Sequence, residues 1–136
     1  MTKMIQSIFG DRKLDSRLDF ISLTREGLSM GTLKKIQAYT SLSIKELAVL
    51  LPISERQLVR YKDDHILRKD ISSHLIQLAE LFEHGYEVFE EEHFRKWMRS
   101  KIRVLDNNRP IDLLDTAIGI QIVNDIIGRI DHGVYS

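Results

Sequence analysis

Residues Pro110 to Ser136 read PIDLLDTAIGIQIVNDIIGRIDHGVYS, and their spacing is helical. Pro110 suits the first position of a helix, where its missing N–H is no loss. Asp112 and Asp115 follow where a helix N-terminus favours negative charge. From Ile120 the apolar residues fall at Ile120, Val123, Ile127, Ile130 and Val134, spacings of three and four that line one helical face. Ile122 and Ile126 widen that face. Gly128 and Gly133 would let another backbone come close, and Gly133 is a natural helix stop. A helix this apolar, ending on Val134, Tyr135 and Ser136, predicts a docking element. Packing on its own domain fits the periodicity equally well.

The remaining composition sets bounds. A chain of 136 residues with 43% hydrophobic content supports one domain, or one small domain with an extension. There is no cysteine, so disulfides, thiol catalysis and thiolate metal sites are excluded. No apolar run approaches the roughly 20 residues needed to cross a bilayer. The opening MTKMIQSIFGDRK has neither a long apolar core nor a small-residue cleavage site, so a cytoplasmic protein is expected. The net charge is zero, but it is unevenly spread. Residues 1–70 carry 13 Lys/Arg against 9 Asp/Glu, and residues 71–136 carry 7 against 11. A basic half joined to an acidic half suggests two surfaces with different partners.

Upstream, the chain divides into helices separated by polar links. Residues 1–28 read as an N-terminal extension of two short helices broken at Gly10-Asp11. One face would hold Met4, Ile5, Ile8 and Phe9, the other Leu14, Leu18 and Ile21. Ser29 to Tyr39 is a helix with Leu33, Ile36 and Tyr39 on one side. Ser43 to Lys62, SIKELAVLLPISERQLVRYK, has the most legible local pattern. Ser43 with Glu46 makes a capping box, and Ser54 with Gln57 predicts a second. Pro52 stops the first helix, and Ala48 is small where two helices would cross. Two short capped helices joined by a tight turn form a helix-turn-helix, here within residues 29–69. Leu58 and Tyr61 face inward, leaving the remaining side chains of the second helix outward.

If that helix lies in a DNA major groove, Arg56 and Arg60 suit guanine and Gln57 suits adenine. Ser54 joins them at the helix start, while Lys45 and Lys62 would meet phosphates. A plain helical hairpin with solvated charges accounts for the same spacing. Pro52 stands where such turns often hold a glycine at positive φ, which proline cannot adopt.

Asp63 to Lys69 is a polar connector, and residues 70–136 form the C-terminal domain. Its first helix runs from Asp70 to about Phe89, with Ile71, Leu75, Leu78, Phe82 and Phe89 inward. Glu90-Glu91-Glu92 open the next helix, where the dipole favours acids, and Phe94, Trp97 and Met98 form its buried side. Catalysis is not expected. There is no Gly-rich phosphate loop and no Gly-x-Ser-x-Gly elbow. His65, His74, His84, His93 and His132 show no i, i+4 pairing for a metal, and no cofactor is expected.

Four segments resemble the Xre/MbcA/ParS antitoxins: ISERQLVRY at Ile53–Tyr61, VFEEEHFRKWM at Val88–Met98, LDNNRPIDLLDT at Leu105–Thr116 and GRIDHGVYS at Gly128–Ser136. The last two are the specific ones. The resemblance runs from about Gly27 onward, leaving residues 1–26 outside it. Asp106-Asn107-Asn108-Arg109 stands where that family frequently has a Gly-rich turn. The resemblance implies an all-α protein with a DNA-binding, Xre-like helix-turn-helix followed by a small helical toxin-binding domain. It also implies a partner, a RES-domain toxin that resembles ADP-ribosyltransferases and acts on NAD. The antitoxin would block that toxin's NAD pocket and repress the shared operon. On this basis Arg129, Ile130, His132, Gly133, Val134, Tyr135 and Ser136 are the expected toxin contacts. A homodimer is expected too, because one helix-turn-helix buries little area on operator DNA. The alternative is a homodimeric transcription regulator whose C-terminal helix is only structural.

Overall fold

The computed structural model describes residues 7–9 and 16–133. From Arg17 to Gly133 the chain is all-α: α1 Arg17–Glu26, α2 Met30–Thr40, α3 Ile44–Leu50, α4 Glu55–Arg60, α5 Lys69–Val88, α6 Glu91–Met98 and α7 Ala117–Asp131. Short 3₁₀ turns at Arg103–Leu105 and Pro110–Leu113 precede α7. Among the described residues, β pairing is confined to two isolated bridges, Ser29 with Ile66 and Ile102 with Asn108. The chain divides into two compact units, residues 1–79 and 80–136, with the division inside α5.

The first unit closes around Leu23, Met30, Leu33, Ile36, Leu47, Leu58, Ile71 and Leu75, all at most 5% exposed. Ile8 and Phe9 are buried as expected, but α1 turns the other way. Leu18 and Ile21 face solvent while Phe20 and Leu23 face inward. The Phe20 ring meets Phe9 edge-on at 6.0 Å; an aromatic pair gains more from burial than the Leu18–Ile21 side would. Met4, Ile5, Gly10, Asp11 and Leu14 lie outside the described residues.

Residues 63–69 are more than a polar link. The Met30 and Gly31 N–H groups donate to the His65 and Asp63 carbonyls, each at 2.8 Å, and Leu67 N–H returns the bond to the Leu28 carbonyl. Leu67 is buried. Ser72 is fully buried and accepts from Leu28 N–H at 2.9 Å, which satisfies a backbone donor that would otherwise be costly to bury.

The second unit is organised on the aromatic rings of α5 and α6. Phe94, fully buried, meets Phe82 at 5.3 Å and Tyr86 at 5.6 Å, both edge-on, and Phe89 lies at 5.6 Å. Gly85 makes that packing possible, because a Cβ there would come within 2.2–2.4 Å of the Phe94 ring. Trp97 and Phe89 are only partly buried and stack on each other at 5.4 Å. The acids that open α6 form i, i+4 pairs, Glu91 with Arg95 and Glu92 with Lys96.

The Phe94 ring is hemmed in and cannot swing clear of an added methyl. Gly85→Ala is therefore expected to destabilise the chain by about 1–3 kcal/mol, read as a lower midpoint in thermal or urea unfolding. An unchanged midpoint would contradict this packing.

Candidate functional site

The expected continuous helix from Pro110 is two elements. Pro110 does occupy the first position, but of a 3₁₀ turn ending at Leu113. The turn anchors itself through buried Pro110, Ile111 and Leu114. Arg109 closes it with two hydrogen bonds to the Asp112 carboxylate, 2.9 Å from Nε and 2.7 Å from Nη2. Those bonds hold the Asp112 carboxyl below its ordinary value. Their stabilising effect is accordingly present above the usual carboxylate pKa and fades as pH falls through the lowered one.

Ahead of Pro110, Asp106 and Asn107 adopt left-handed φ values of 54° and 64°. Asp and Asn tolerate that region better than other side chains, so they perform the task a Gly-rich turn would. The Asn108 side chain fixes the turn by donating to the Leu105 carbonyl at 2.9 Å.

Thr116 then caps a new helix, accepting Gly119 N–H at 2.9 Å. Only glycine fits at position 119, since a Cβ would lie 1.6 Å from the Leu113 carbonyl oxygen. Ile120, Val123, Ile126 and Ile127 are buried, and Ile130 is half-buried. Ile122, expected to widen the inner face, is 43% exposed. His84 on α5 and Asn124 on α7 are joined by a 2.7 Å hydrogen bond.

The last turn of α7 holds the expected toxin contacts that the structure describes. Arg129, His132 and Gly133 are exposed. His132 is the C-cap, its N–H directed at the Gly128 carbonyl, and Gly133 has φ of +75°. Ile130 instead faces a groove of about 370 Å³ lined by Phe89, Trp97, Ile102, Val104, Ile126 and Arg103. Sequence reading missed this groove, because Phe89 and Trp97 read as core. The alternation of Ile102 and Val104 was its one visible signal. Val134, Tyr135 and Ser136 lie outside the described residues.

In the first unit, Leu51 to Ser54 join α3 to α4. Ser43 forms the complete capping box with Glu46. The second box is only half made: Ser54 accepts Gln57 N–H at 3.2 Å, but the Gln57 carbonyl oxygen faces the Ser54 hydroxyl at 3.4 Å instead of its backbone N–H. The turn has no positive φ, and Leu51 is extended. It is held from outside, with Arg68 donating to the Pro52 carbonyl at 2.9 Å and pairing with Asp70.

Lys45, Ser54, Arg56, Gln57, Arg60 and Lys62 are all exposed. Arg56 and Arg60, one turn apart, share the outer side of α4 with Val59, which is 70% exposed. The Ser54 hydroxyl is occupied by capping, which ties the Gln57 carbonyl to the helix start. Tyr61 ends α4 half-buried and stacks on His65 at 3.6 Å.

Exposed side chains carry little of the fold. His132→Ala and Arg56→Ala are expected to shift unfolding free energy by no more than about 0.5 kcal/mol, checked by denaturant unfolding. A larger loss would assign these side chains to stability.

Residues 77–133 match the family model described as the antitoxin Xre/MbcA/ParS C-terminal toxin-binding domain. A protein from Photorhabdus laumondii named antitoxin Xre is 26% identical over 118 residues, covering 85% of this chain and 80% of that protein. Another antitoxin Xre, from Yersinia enterocolitica, is 26% identical over 113 residues, covering 81% and 76%. The crystal structure of the M. tuberculosis MbcT–MbcA toxin–antitoxin complex contains a chain with the same fold. That likeness has a TM-score of 0.63 at 23% identity and covers 79% of this chain and 96% of that one. Residues 77–133 are therefore similar to the C-terminal toxin-binding domain of the Xre/MbcA/ParS antitoxins, and the chain around them is similar to the Xre antitoxins.

Proposed function

We propose that this chain is the antitoxin of a toxin–antitoxin pair and has no enzymatic activity of its own. Its C-terminal unit binds a RES-domain toxin that acts on NAD, and the end of α7 with Val134, Tyr135 and Ser136 fills that toxin's active site. The observation carrying this reading is the coincidence of the toxin-binding family match with a helix that outruns its own core. The buried residues of α7 stop at Ile127, yet the helix continues to Asp131. Beyond Ile127 the chain exposes Arg129, His132 and Gly133, with half-buried Ile130 beside the groove. An arginine suits an active site whose catalytic groups include carboxylates, because its guanidinium pairs with them in a two-pronged geometry. Blocking the site requires no chemistry, only occupancy.

The N-terminal unit would act on operator DNA. Helices α3 and α4 read as a helix-turn-helix, with Arg56, Gln57 and Arg60 at base edges and Ser54, Lys45 and Lys62 beside them toward the backbone. Two like charges one turn apart repel in the free protein, and an anionic partner removes that cost. A homodimer would place two such helices on two half-sites.

The plain-regulator reading is favoured by one observation: Ile120, Val123, Ile126 and Ile127 complete the core of their own unit. A chain stopped after Gly128 separates the two readings, since every fully buried side chain of α7 is kept. We expect it to remain helical by circular dichroism but to lose capture and neutralisation of the RES-domain toxin encoded beside it. Neutralisation equal to that of the full chain would contradict the proposal. If shortening the helix unfolds the unit, Arg129→Glu in the full chain asks the same question without removing any backbone. For the DNA surface, Arg56→Ala and Arg60→Ala should each weaken operator binding by about 1–3 kcal/mol and leave toxin capture intact. Unchanged gel shifts would restrict the chain to toxin inhibition.

A further inference from the structure

Helix α7 has a second apolar feature that neither its core nor its exposed end explains. Ile118 is 72% exposed and Ile122 is 43% exposed. They are four residues apart, so their side chains adjoin on one face of the helix. Continuing that face by steps of three and four reaches Asp125 and then Arg129, both exposed. The buried residues Ile120, Val123 and Ile127 lie on the other side. A single exposed isoleucine is ordinary on a protein surface, whereas two adjoining ones aligned with a contact residue form a strip that burial would favour.

We infer that the outer face of α7, anchored by Ile118 and Ile122, is part of the toxin-docking surface. The toxin is thus gripped along the helix as well as at its tip. This inference rests on the proposed antitoxin reading. Two observations select the toxin as occupant. The strip lies within residues 77–133, which match the toxin-binding family, and it runs without a break into Arg129 at the proposed plug. A body seated over Asp125 and Arg129 occupies the space the toxin needs, so a second copy of this chain and the toxin could not both cover the face. The partner surface would therefore be apolar opposite the two isoleucines and polar toward the helix end. The tip would supply occupancy of the active site and the strip would supply area, because a few terminal residues alone bury too little for a stable complex.

The test is Ile118→Glu/Ile122→Glu in the full-length chain, assayed for affinity to the RES-domain toxin by calorimetry and for oligomeric state by light scattering. Glutamate is a good helix former and both sites face water, so the helix should persist. We expect toxin affinity to fall at least tenfold with oligomeric state and operator binding unchanged. The milder Ile118→Ala/Ile122→Ala should show a smaller loss in the same direction. Unchanged toxin affinity, while Arg129→Glu abolishes capture, would overturn the strip and leave the antitoxin reading standing. A changed oligomeric state with toxin affinity intact would give the face to a second copy and also overturn the inference. Failure of the unaltered chain to bind the toxin would overturn both readings.

Discussion

Burial of Ile120, Val123, Ile126 and Ile127 along one side of α7 is the constraint on which the C-terminal unit depends. Each such side chain contributes about 1.5–3 kcal/mol relative to exposure, far more than any surface pair in this unit. Once that side is committed inward, the helical repeat leaves Ile118, Ile122, Asp125 and Arg129 outward. The entry to α7 is shaped to deliver this orientation. The left-handed Asp106-Asn107 turn, the 3₁₀ turn from Pro110 and the Thr116 cap succeed one another without slack, and Gly119 tolerates contact with the Leu113 carbonyl. The consequence for function is that α7 beyond Ile127 holds no fully buried side chain. A segment that carries no core can evolve to fit a partner.

The N-terminal unit follows a different logic. Its two short helices, α3 and α4, have seven and six residues and could not persist alone. Capping serines at positions 43 and 54 satisfy their first turns, and Leu47, Leu50 and Leu58 bury their inner sides. The turn between them lacks the positive φ that a glycine would provide. Arg68, held by Asp70 and keeping that carboxyl below its ordinary value, grips the Pro52 carbonyl instead. The outer side of α4 is thereby presented on a fixed support, with Arg56, Val59 and Arg60 exposed.

Much of this was legible in the sequence because periodicity and capping are local. The helices from Ser29 onward, the stop at Pro52, the Ser43 box and the inward face of α7 all follow from spacings of three and four. What the sequence concealed depends on contacts between distant residues. Leu18 and Ile21 had a credible helical spacing, but the ring of Phe9 decided which side of α1 turned inward. The groove beside Ile130 needs Phe89, Trp97, Ile102 and Val104 together, and no single segment contains it. The split of the Pro110 stretch into a 3₁₀ turn and a helix hinged on Thr116, a cap that the apolar pattern passes over. Gly85 was silent because its meaning lies in the Phe94 ring opposite.

The central claim is that the last turns of α7 and the residues after it are what the toxin covers. Amide hydrogen exchange on the full chain, alone and saturated with its RES-domain toxin, addresses it directly. Backbone amides at such a helix end exchange readily when nothing covers them. Strong protection is expected from Arg129 to Ser136 in the complex, with little change from Ser43 to Lys62. Protection confined to the N-terminal unit, with the end of α7 exchanging as fast as in the free chain, would contradict it.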